Sequence, residues 1–184
     1  MAKLLQILQL GNPILRQTTQ PIYHIHDDRV QVLIDNLMTT LIKSNGVGIA
    51  APQVSESYRM LIVASRPNPR YPNAPEMKPT VMINPHIVDH SDDMVNDWEG
   101  CLSVPGIRGL VPRYQQIEIE YTTRDGRIDR QVLTDFVARI FQHEFDHLNG
   151  LVFLDRLEGV QDIITEQEYL TRIVPATVEQ HKIK

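Results

Sequence analysis

Apolar residues recur at helical spacing in a stretch that begins after Asp27. From Val30 to Ile42 they fall on one stripe, which is typical of an amphipathic helix packed against a core. Asp27 is a good N-cap, because its carboxylate can accept hydrogen bonds from the first unpaired backbone N–H groups. Asn45 and Gly46 are residues that commonly end a helix. The pattern therefore predicts a first helix between Asp27 and Asn45.

A second stripe of apolar residues runs from about Asp135 to Asn149. Thr134 or Asp135 can cap the start of this helix, and Gly150 lies just past its end. The apolar side of the helix adjoins a side that carries two histidines. We therefore expect the histidines at the rim of a buried core.

Other stretches alternate between apolar and polar residues, or are continuously apolar, as strands are. The run "MLIVA" at 60–64 predicts a buried strand, and "TVMINPHIV" at 80–88 predicts a strand that is interrupted near Pro85. The segment 116–133 reads as two alternating strands that are joined at Asp125-Gly126. A β-hairpin is expected there.

Five prolines within residues 66–79 predict a surface loop. A capping box of Thr165 and Glu168 predicts a short third helix, and no long terminal helix is expected after it. Together the elements predict an α+β protein with antiparallel sheets packed around a buried central helix. We expect a single catalytic domain over residues 1–175 and a flexible tail over 176–184.

Composition and charge narrow the classes of function. The 184 residues carry a net charge of −5 without a cluster of Lys and Arg, which argues against a specific nucleic-acid partner. No apolar run approaches the roughly 18 residues of a membrane span, and the N-terminal stretch is a poor secretion signal. A single cysteine suits a reducing compartment. We expect a cytoplasmic protein with a small or peptidic partner.

The stretch "QHEFDHLNG" carries the chemistry of the second helix. His143 and His147 are four residues apart and share one face, with Glu144 between them. His-Glu-x-x-His on a helix typically provides two metal ligands and a glutamate that takes a proton from water. Two solvated histidines on a charged face are the alternative interpretation.

The third ligand decides the class of enzyme. A class that uses a third histidine six residues after the second is excluded, because Phe153 occupies that position. Another class uses a glutamate from a later helix, for which Glu166 or Glu168 would serve. Cys101, 42 residues upstream of the first histidine, is the other candidate. A lone cysteine is more often a small buried hydrophobe, so the residues alone leave this choice open.

Three motifs together resemble the peptide deformylase family, in order and without a mismatch, over roughly residues 5–157. The motifs are Gly46-x-Gly48-x-Ala50-Ala51-x-Gln53, Glu99-Gly100-Cys101-Leu102-Ser103 and Gln142-His143-Glu144-x-Asp146-His147. The resemblance implies a metal-dependent hydrolase acting on a linear amide. It would remove the N-formyl group from the formylmethionine of newly made polypeptides and release formate.

The resemblance also implies the roles of individual residues. Metal-bound water would attack the formyl carbonyl, with Glu144 as general acid/base and Gln53 and the Leu102 N–H stabilising the oxyanion. The metal ligands would be Cys101, His143 and His147. Substrate would bind at Val47, Gly48, Gly100 and Ile140, with support from Gly46, Glu99 and Arg113.

The family implies one divalent metal ion, Fe(II) in the cell, with zinc, nickel or cobalt as alternatives in a purified sample. The partner would be the formyl-Met end of a nascent chain, with a transient contact to the ribosome. Two other hypotheses remain at this point. One is a metalloendopeptidase that uses Glu166 or Glu168, and the other is a non-catalytic peptide-binding or structural-metal module with a closed site.

One residue departs from the apolar type found in some family members. Arg139 lies one turn before His143 on the ligand side of the helix. It could contact substrate, but pairing with Asp135 is the expectation for this arginine.

Overall fold

Two antiparallel sheets form the framework of the fold. The computed structural model describes residues 2–182, and the side chains of residues 2–178. Its strands are β1 (Gly48–Ala50), β2 (Met60–Val63), β3 (Thr80–His90), β4 (Met94–Cys101), β5 (Val104–Tyr114), β6 (Gln116–Thr122), β7 (Ile128–Thr134) and β8 (Ile163–Thr165). The first sheet has the order β1-β2-β3-β6-β7 and the second the order β4-β5-β8. The predicted combination of helices with antiparallel sheets is confirmed.

Two long helices match the two apolar stripes of the sequence. They are α1 (Asp28–Lys43) and α2 (Asp135–Leu148). Asp27 caps α1 as predicted, since its carboxylate accepts the backbone N–H of Arg29 at 2.8 Å. Asn45 and Gly150 both have positive φ, at 52° and 74°, directly after the helices end. These left-handed residues turn the chain where the sequence predicted the ends.

The strands β1 and β2 of the first sheet are buried on both faces, and each long helix packs on one of these faces. Met60 and Ile62 of β2 lie in the core cluster formed with α1. Leu61 and Val63 point to the opposite face and lie in the cluster formed with α2. Alternation along a strand sends neighbouring side chains to opposite faces, and here both faces are covered. The run of 60–64 is therefore continuously apolar.

The predicted hairpin over 116–133 is present as β6 and β7, which pair from Gln116–Thr134 to Thr122–Ile128. The interruption expected near Pro85 is a bulge inside the single strand β3. Its pairing with β6 shifts register between Ile83 and His86, and Asn84 between them has φ 50°. A bulge accommodates the proline, which cannot donate a hydrogen bond within the ladder.

The second sheet carries the cysteine. Its strands β4 and β5 form a long hairpin that ends in a tight turn between Cys101 and Val104. Cys101, Val104, Val111 and Phe153 form a small buried cluster behind this turn. This hairpin places Cys101 at the end of β4, and it was not predicted from the sequence.

The C-terminal part differs from expectation. Thr165 caps a helix, as predicted, but the helical stretch does not end after one turn. It continues as α3 (Glu166–Glu168), a π-helical segment (Tyr169–Ile173) and α4 (Val174–Lys182), so the expectation of no long terminal helix was wrong. Tyr169 packs on Arg108 of β5 at 4.6 Å, and this anchor holds the stretch to the second sheet.

The tail predicted as flexible, residues 176–184, begins inside α4, and its last two residues lie outside the described part. Its mobility stays a prediction. Among the described residues, no helix combines the length and the apolar character that crossing a membrane requires.

Candidate metal centre

Three side chains with metal-binding atoms converge between α2 and the end of β4. Cys101, His143 and His147 each offer one ligand atom, and the three atoms lie within 4.8 Å of one another. The Cys101 Sγ lies 3.2 Å from His147 Nε2, and all three side chains are buried. Within the part of the chain that the structure describes, no other cluster of this kind was found.

Helical spacing and the β4–β5 turn bring these groups together. One turn of α2 separates the two histidines, so their rings lie edge to face with centroids 5.3 Å apart. The turn after β4 holds the sulfur, because the backbone N–H of Ser103 donates to Cys101 Sγ at 3.3 Å. The side chain of Gln53 donates to the same sulfur at 3.5 Å.

A buried carboxylate behind the cluster holds one of the histidines. Glu99 Oε2 lies 2.8 Å from His143 Nδ1. Because Nδ1 is committed to this carboxylate, Nε2 is the ring nitrogen of His143 that can bind an ion. Arg113 pairs with both oxygens of Glu99, at 2.9 and 3.0 Å, and also with Asp146 at 2.6 Å. The expected contact between Glu99 and Arg113 is therefore present.

The charges around the cluster favour the thiolate form of Cys101. Burial alone would raise the pKa of the Cys101 thiol, but the neighbouring imidazoles His147 and His143 lower it well below its usual value. Burial would likewise raise the pKa of Glu99, but Arg113 and His143 hold it far below its usual range. The thiolate is the form of cysteine that binds metal ions.

Glu144 has the opposite environment. Burial raises the pKa of its carboxyl group to about 7. Its Oε2 is buried without a hydrogen-bond partner among the described residues. Gly48 lies directly against it, since a Cβ at Gly48 would come within 2.5 Å of Glu144 Oε1. The glycine therefore leaves the space that this carboxylate occupies.

The cluster opens onto a cleft between the two sheets. All four predicted substrate-binding residues line it, together with Gly46, Gln53 and Leu102. Those four are Val47, Gly48, Gly100 and Ile140. His147 and Arg113 are buried behind the cleft and do not line it.

Gln53 is fixed at the cleft by its own loop. Its Oε1 accepts the backbone N–H of Ala50 at 2.8 Å, which turns the amide NH₂ group toward Cys101 and the Ser103 hydroxyl. The Ser103 contact measures 3.2 Å. The donor end of the amide, rather than its oxygen, thus faces the cluster.

Several residues that sequence reasoning missed also line the cleft. Tyr71 comes from the proline-rich loop, Trp98 from β4 and Phe136 from the first turn of α2. Tyr71 and Phe136 are in ring contact at 4.9 Å. Their residue types do not distinguish them from core residues, so only the fold shows that these three side chains line the cleft. The loop 66–79 is without strand or helix, as predicted, but it is part of the cleft wall.

The expected pairing of Arg139 with Asp135 was wrong. Its guanidinium donates to Glu99 Oε1 at 2.9 Å and to the carbonyl of Val111 at 2.8 Å, while Asp135 accepts from Gln115. Asp135 has φ 50° at the start of α2, and its carboxylate accepts a hydrogen bond from the loop beside it.

The glutamates of the endopeptidase hypothesis lie elsewhere. Glu166 binds Arg108 at 2.8 Å, and Glu168 pairs with Arg172 at 3.4 Å. Neither belongs to the metal-binding cluster, so that hypothesis loses its third ligand. The closed structural site is disfavoured as well, because the cluster of three residues adjoins an open cleft rather than a fourth protein ligand.

A divalent ion fits this cluster. One thiolate and two imidazoles suit Fe(II), Zn(II), Ni(II) or Co(II), whereas a magnesium or calcium site would be built of oxygen atoms. The unpartnered Glu144 oxygen beside the cluster is where a proton acceptor for bound water would be needed. The α+β fold, the three metal-binding side chains and the adjacent glutamate together indicate a metal-dependent hydrolase.

The comparison with known proteins gives the family. The model of the polypeptide deformylase family matches residues 4–162, and the chain belongs to this family. "Peptide deformylase 2" of Nostoc sp. is 66% identical over 167 residues, which cover 91% of this chain and 93% of that protein. The family match ends before α3 begins.

Solved structures agree with this assignment. A class I type b peptide deformylase of Acinetobacter baumannii, crystallised with Met-Ala-Ser bound, is 45% identical with a TM-score of 0.83. The match covers 85% of this chain and all of that one. A peptide deformylase of Synechococcus elongatus in complex with actinonin is 35% identical with a TM-score of 0.77, covering 88% and 84% of the two chains.

Proposed function

We propose that the chain removes the formyl group from the formylmethionine at the start of newly made polypeptides and releases formate. The observation that carries this proposal is the cluster of Cys101, His143 and His147 at the cleft, with Glu144 beside it. Membership of the polypeptide deformylase family supports it independently.

Cys101, His143 and His147 would hold one divalent ion, with Fe(II) as the ion used in the cell and zinc, nickel or cobalt as substitutes. When bound, such an ion lowers the pKa of water and polarises a carbonyl oxygen. His-Glu-x-x-His on the buried helix α2 supplies two of the ligands in this proposal. Cys101 adds a negative charge, which moderates the acidification of the water and makes the site sensitive to oxidation.

Glu144 acts as the general acid/base. It accepts a proton from water as the water oxygen adds to the formyl carbon, and it returns the proton to the nitrogen of methionine as the C–N bond breaks. The position of the carboxylate supports this role, because its buried Oε2 has no hydrogen-bond partner among the described residues and can take up a proton beside the cluster.

Gln53 and the backbone N–H of Leu102 stabilise the oxygen of the former carbonyl as it becomes negative. The orientation of the Gln53 amide supports this assignment, since its NH₂ group faces the cluster. One such donor is typically worth about 2.7–4 kcal/mol of barrier.

The substrate backbone adds as a strand between the two sheets. Both β1 and β4 lie at the edge of their sheets, and Gly48 and Gly100 lie on these edges at the cleft. Strand addition reads the peptide backbone and therefore tolerates varied sequences after methionine. Val47 and Ile140 form part of the methionine pocket in this proposal, with Gly46 shaping the entrance.

Residues 1–175 form the catalytic domain in this proposal, and 176–184 form a tail. The substrate is a nascent chain, so the protein acts in the cytoplasm and contacts the ribosome only transiently. Relatives crystallised with peptide-like ligands support a peptide substrate.

The test is formate release from formyl-Met-Ala-Ser by protein prepared anaerobically with Fe(II). Glu144→Ala should lower kcat by about 10²–10⁴-fold, because a general acid/base contributes this much. Glu168→Ala, which removes a carboxylate from the exposed side of the C-terminal helix, is the control and should retain full activity. An active Glu144→Ala protein would refute the assigned base, and cleavage of internal peptide bonds would favour an endopeptidase.

A further inference from the structure

Arg139 is buried, with 5% of its surface exposed, and it joins α2 to both strands of the β4–β5 hairpin. Its guanidinium donates to the carbonyl oxygens of Val95 in β4, at 2.5 Å, and Val111 in β5, at 2.8 Å. It also donates to the carboxylate of Glu99 at 2.9 Å. An arginine that makes these three contacts is held rigidly, since its planar group loses all alternative orientations.

Glu99 touches α2 at two points that are one turn apart. Its Oε1 accepts from Arg139, and its Oε2 contacts Nδ1 of His143, four residues later on the same helix. Arg113 binds the opposite side of the carboxylate through both oxygens. Arg113 also binds Asp146 of α2 at 2.6 Å, so it ties the carboxylate to the helix after His143. Arg139 adds a second tie one turn before His143, so the carboxylate is held to the helix on both sides of this ligand.

From this geometry we propose that Arg139 is a positioning residue for the metal ligand His143, acting through Glu99. The inference rests on the proposed metal site and adds to it a residue outside the three motifs. Arg139 sets where Glu99 lies relative to α2, and Glu99 sets the tautomer and the ring orientation of His143. The Nε2 atom of His143 is thereby held toward Cys101 and His147.

A histidine binds a metal more tightly when a partner fixes its second ring nitrogen. Partners that hold the second nitrogen of a ligating histidine typically contribute about 10–100-fold to metal affinity. Arg139 is one step further out, so the lower end of this range is expected. Its position at the wall of the cleft offers the competing interpretation, in which it contacts the substrate side chain directly.

The experiment measures the release of Ni(II) from loaded protein to an excess of chelator. Arg139→Met removes the charge and keeps an unbranched apolar side chain, and it should speed Ni(II) release by about tenfold. Arg139→Lys restores a cation near Glu99 and should bring release to within about threefold of wild type. Arg59→Met is the matched control, because Arg59 packs on Phe145 of the same helix without touching Glu99. Its release rate should equal that of wild type.

Two further measurements separate positioning from packing and from substrate contact. The melting temperature of the metal-free variants reports packing, and a merely structural arginine would lower it without changing Ni(II) release. The KM for formyl-Met-Ala-Ser reports the cleft, and a substrate contact would raise KM with release unchanged. Either of these results would overturn the proposal.

Arg139→Gln serves the same test if the methionine variant does not fold, and faster release is expected for it as well. Wild-type protein that retains no Ni(II) would refute the metal site itself. Wild-type retention with equal release from all Arg139 variants would refute only the role of Arg139.

Discussion

Gly48→Ala is a sensitive probe of the active-site geometry, because the new methyl group would enter space that Glu144 occupies. A Cβ at this position would lie 2.5 Å from Glu144 Oε1 and 2.8 Å from its Cγ. On the other side it would lie 2.8 Å from Cγ2 of Ile140. Carbon and oxygen atoms pack comfortably at about 3.5 Å, so the carboxylate must move by about 1 Å.

A displacement of this size should slow the reaction strongly. Misplacing a reacting group by about 1 Å costs roughly 10²-fold in rate, or about 2.7 kcal/mol of barrier. The three atoms nearest to that Cβ belong to Glu144 and Ile140 and not to a metal ligand, so metal content should stay at wild-type level. We therefore expect Gly48→Ala to bind its metal normally and to lose activity mainly in kcat.

The assay is formate release under anaerobic conditions, with metal content measured on the same sample. Gly159→Ala is the control, because its φ of −168° is extended backbone that any residue adopts, and a Cβ there meets only the flexible end of the Gln161 side chain. It tests whether replacing a glycine has a general effect on the preparation. A Gly48→Ala protein with wild-type kcat would refute the position assigned to the Glu144 carboxylate.

Three further predictions concern other parts of the molecule. Gln53→Leu should lower kcat by about 10²–10³-fold at unchanged metal content, because one oxyanion donor is lost, and steady-state kinetics check this. Phe141→Ala should lower the free energy of unfolding by about 3–5 kcal/mol, measured by urea denaturation, because Phe141 is fully buried between α2 and the first sheet. Removal of the metal by a chelator should abolish formate release, and Fe(II) or Ni(II) added under anaerobic conditions should restore it; activity that persists without metal would contradict the proposed chemistry.

The helix α1 and the β6–β7 hairpin were predicted well, because the residues that determine them are close together in the sequence. The apolar residues of α1 recur with the helical period of 3.6 residues, and Asp27 caps the helix by accepting the N–H of Arg29, two residues away. The β6–β7 hairpin follows from alternation on both sides of Asp125-Gly126. In these cases the physical cause is local, so the sequence pattern is sufficient.

Contacts between distant segments could not be predicted in the same way. Nothing in the spacing of residues indicates that Cys101 and His147 approach to 3.2 Å. That contact requires the β4–β5 hairpin to lie against α2, and only the family resemblance suggested it. Arg139 illustrates the same limit, since Asp135 is near in sequence but Glu99 is near in space.

The C-terminal helical stretch was missed for a related reason. The expectation was a short helix after Thr165 and a flexible tail over 176–184, because terminal residues of a domain are often poorly ordered. In the structure the helical stretch continues through Pro175, which follows the π-helical segment Tyr169–Ile173 directly. Tyr169 anchors the stretch through Arg108, a contact between residues 61 positions apart that no local pattern reveals.

X-ray absorption spectroscopy of the protein loaded with one equivalent of zinc tests the central claim most directly. The account predicts one sulfur at about 2.3 Å and two nitrogens at about 2.0–2.1 Å from the metal, supplied by Cys101 and the two histidines of α2. A coordination shell without sulfur would contradict it.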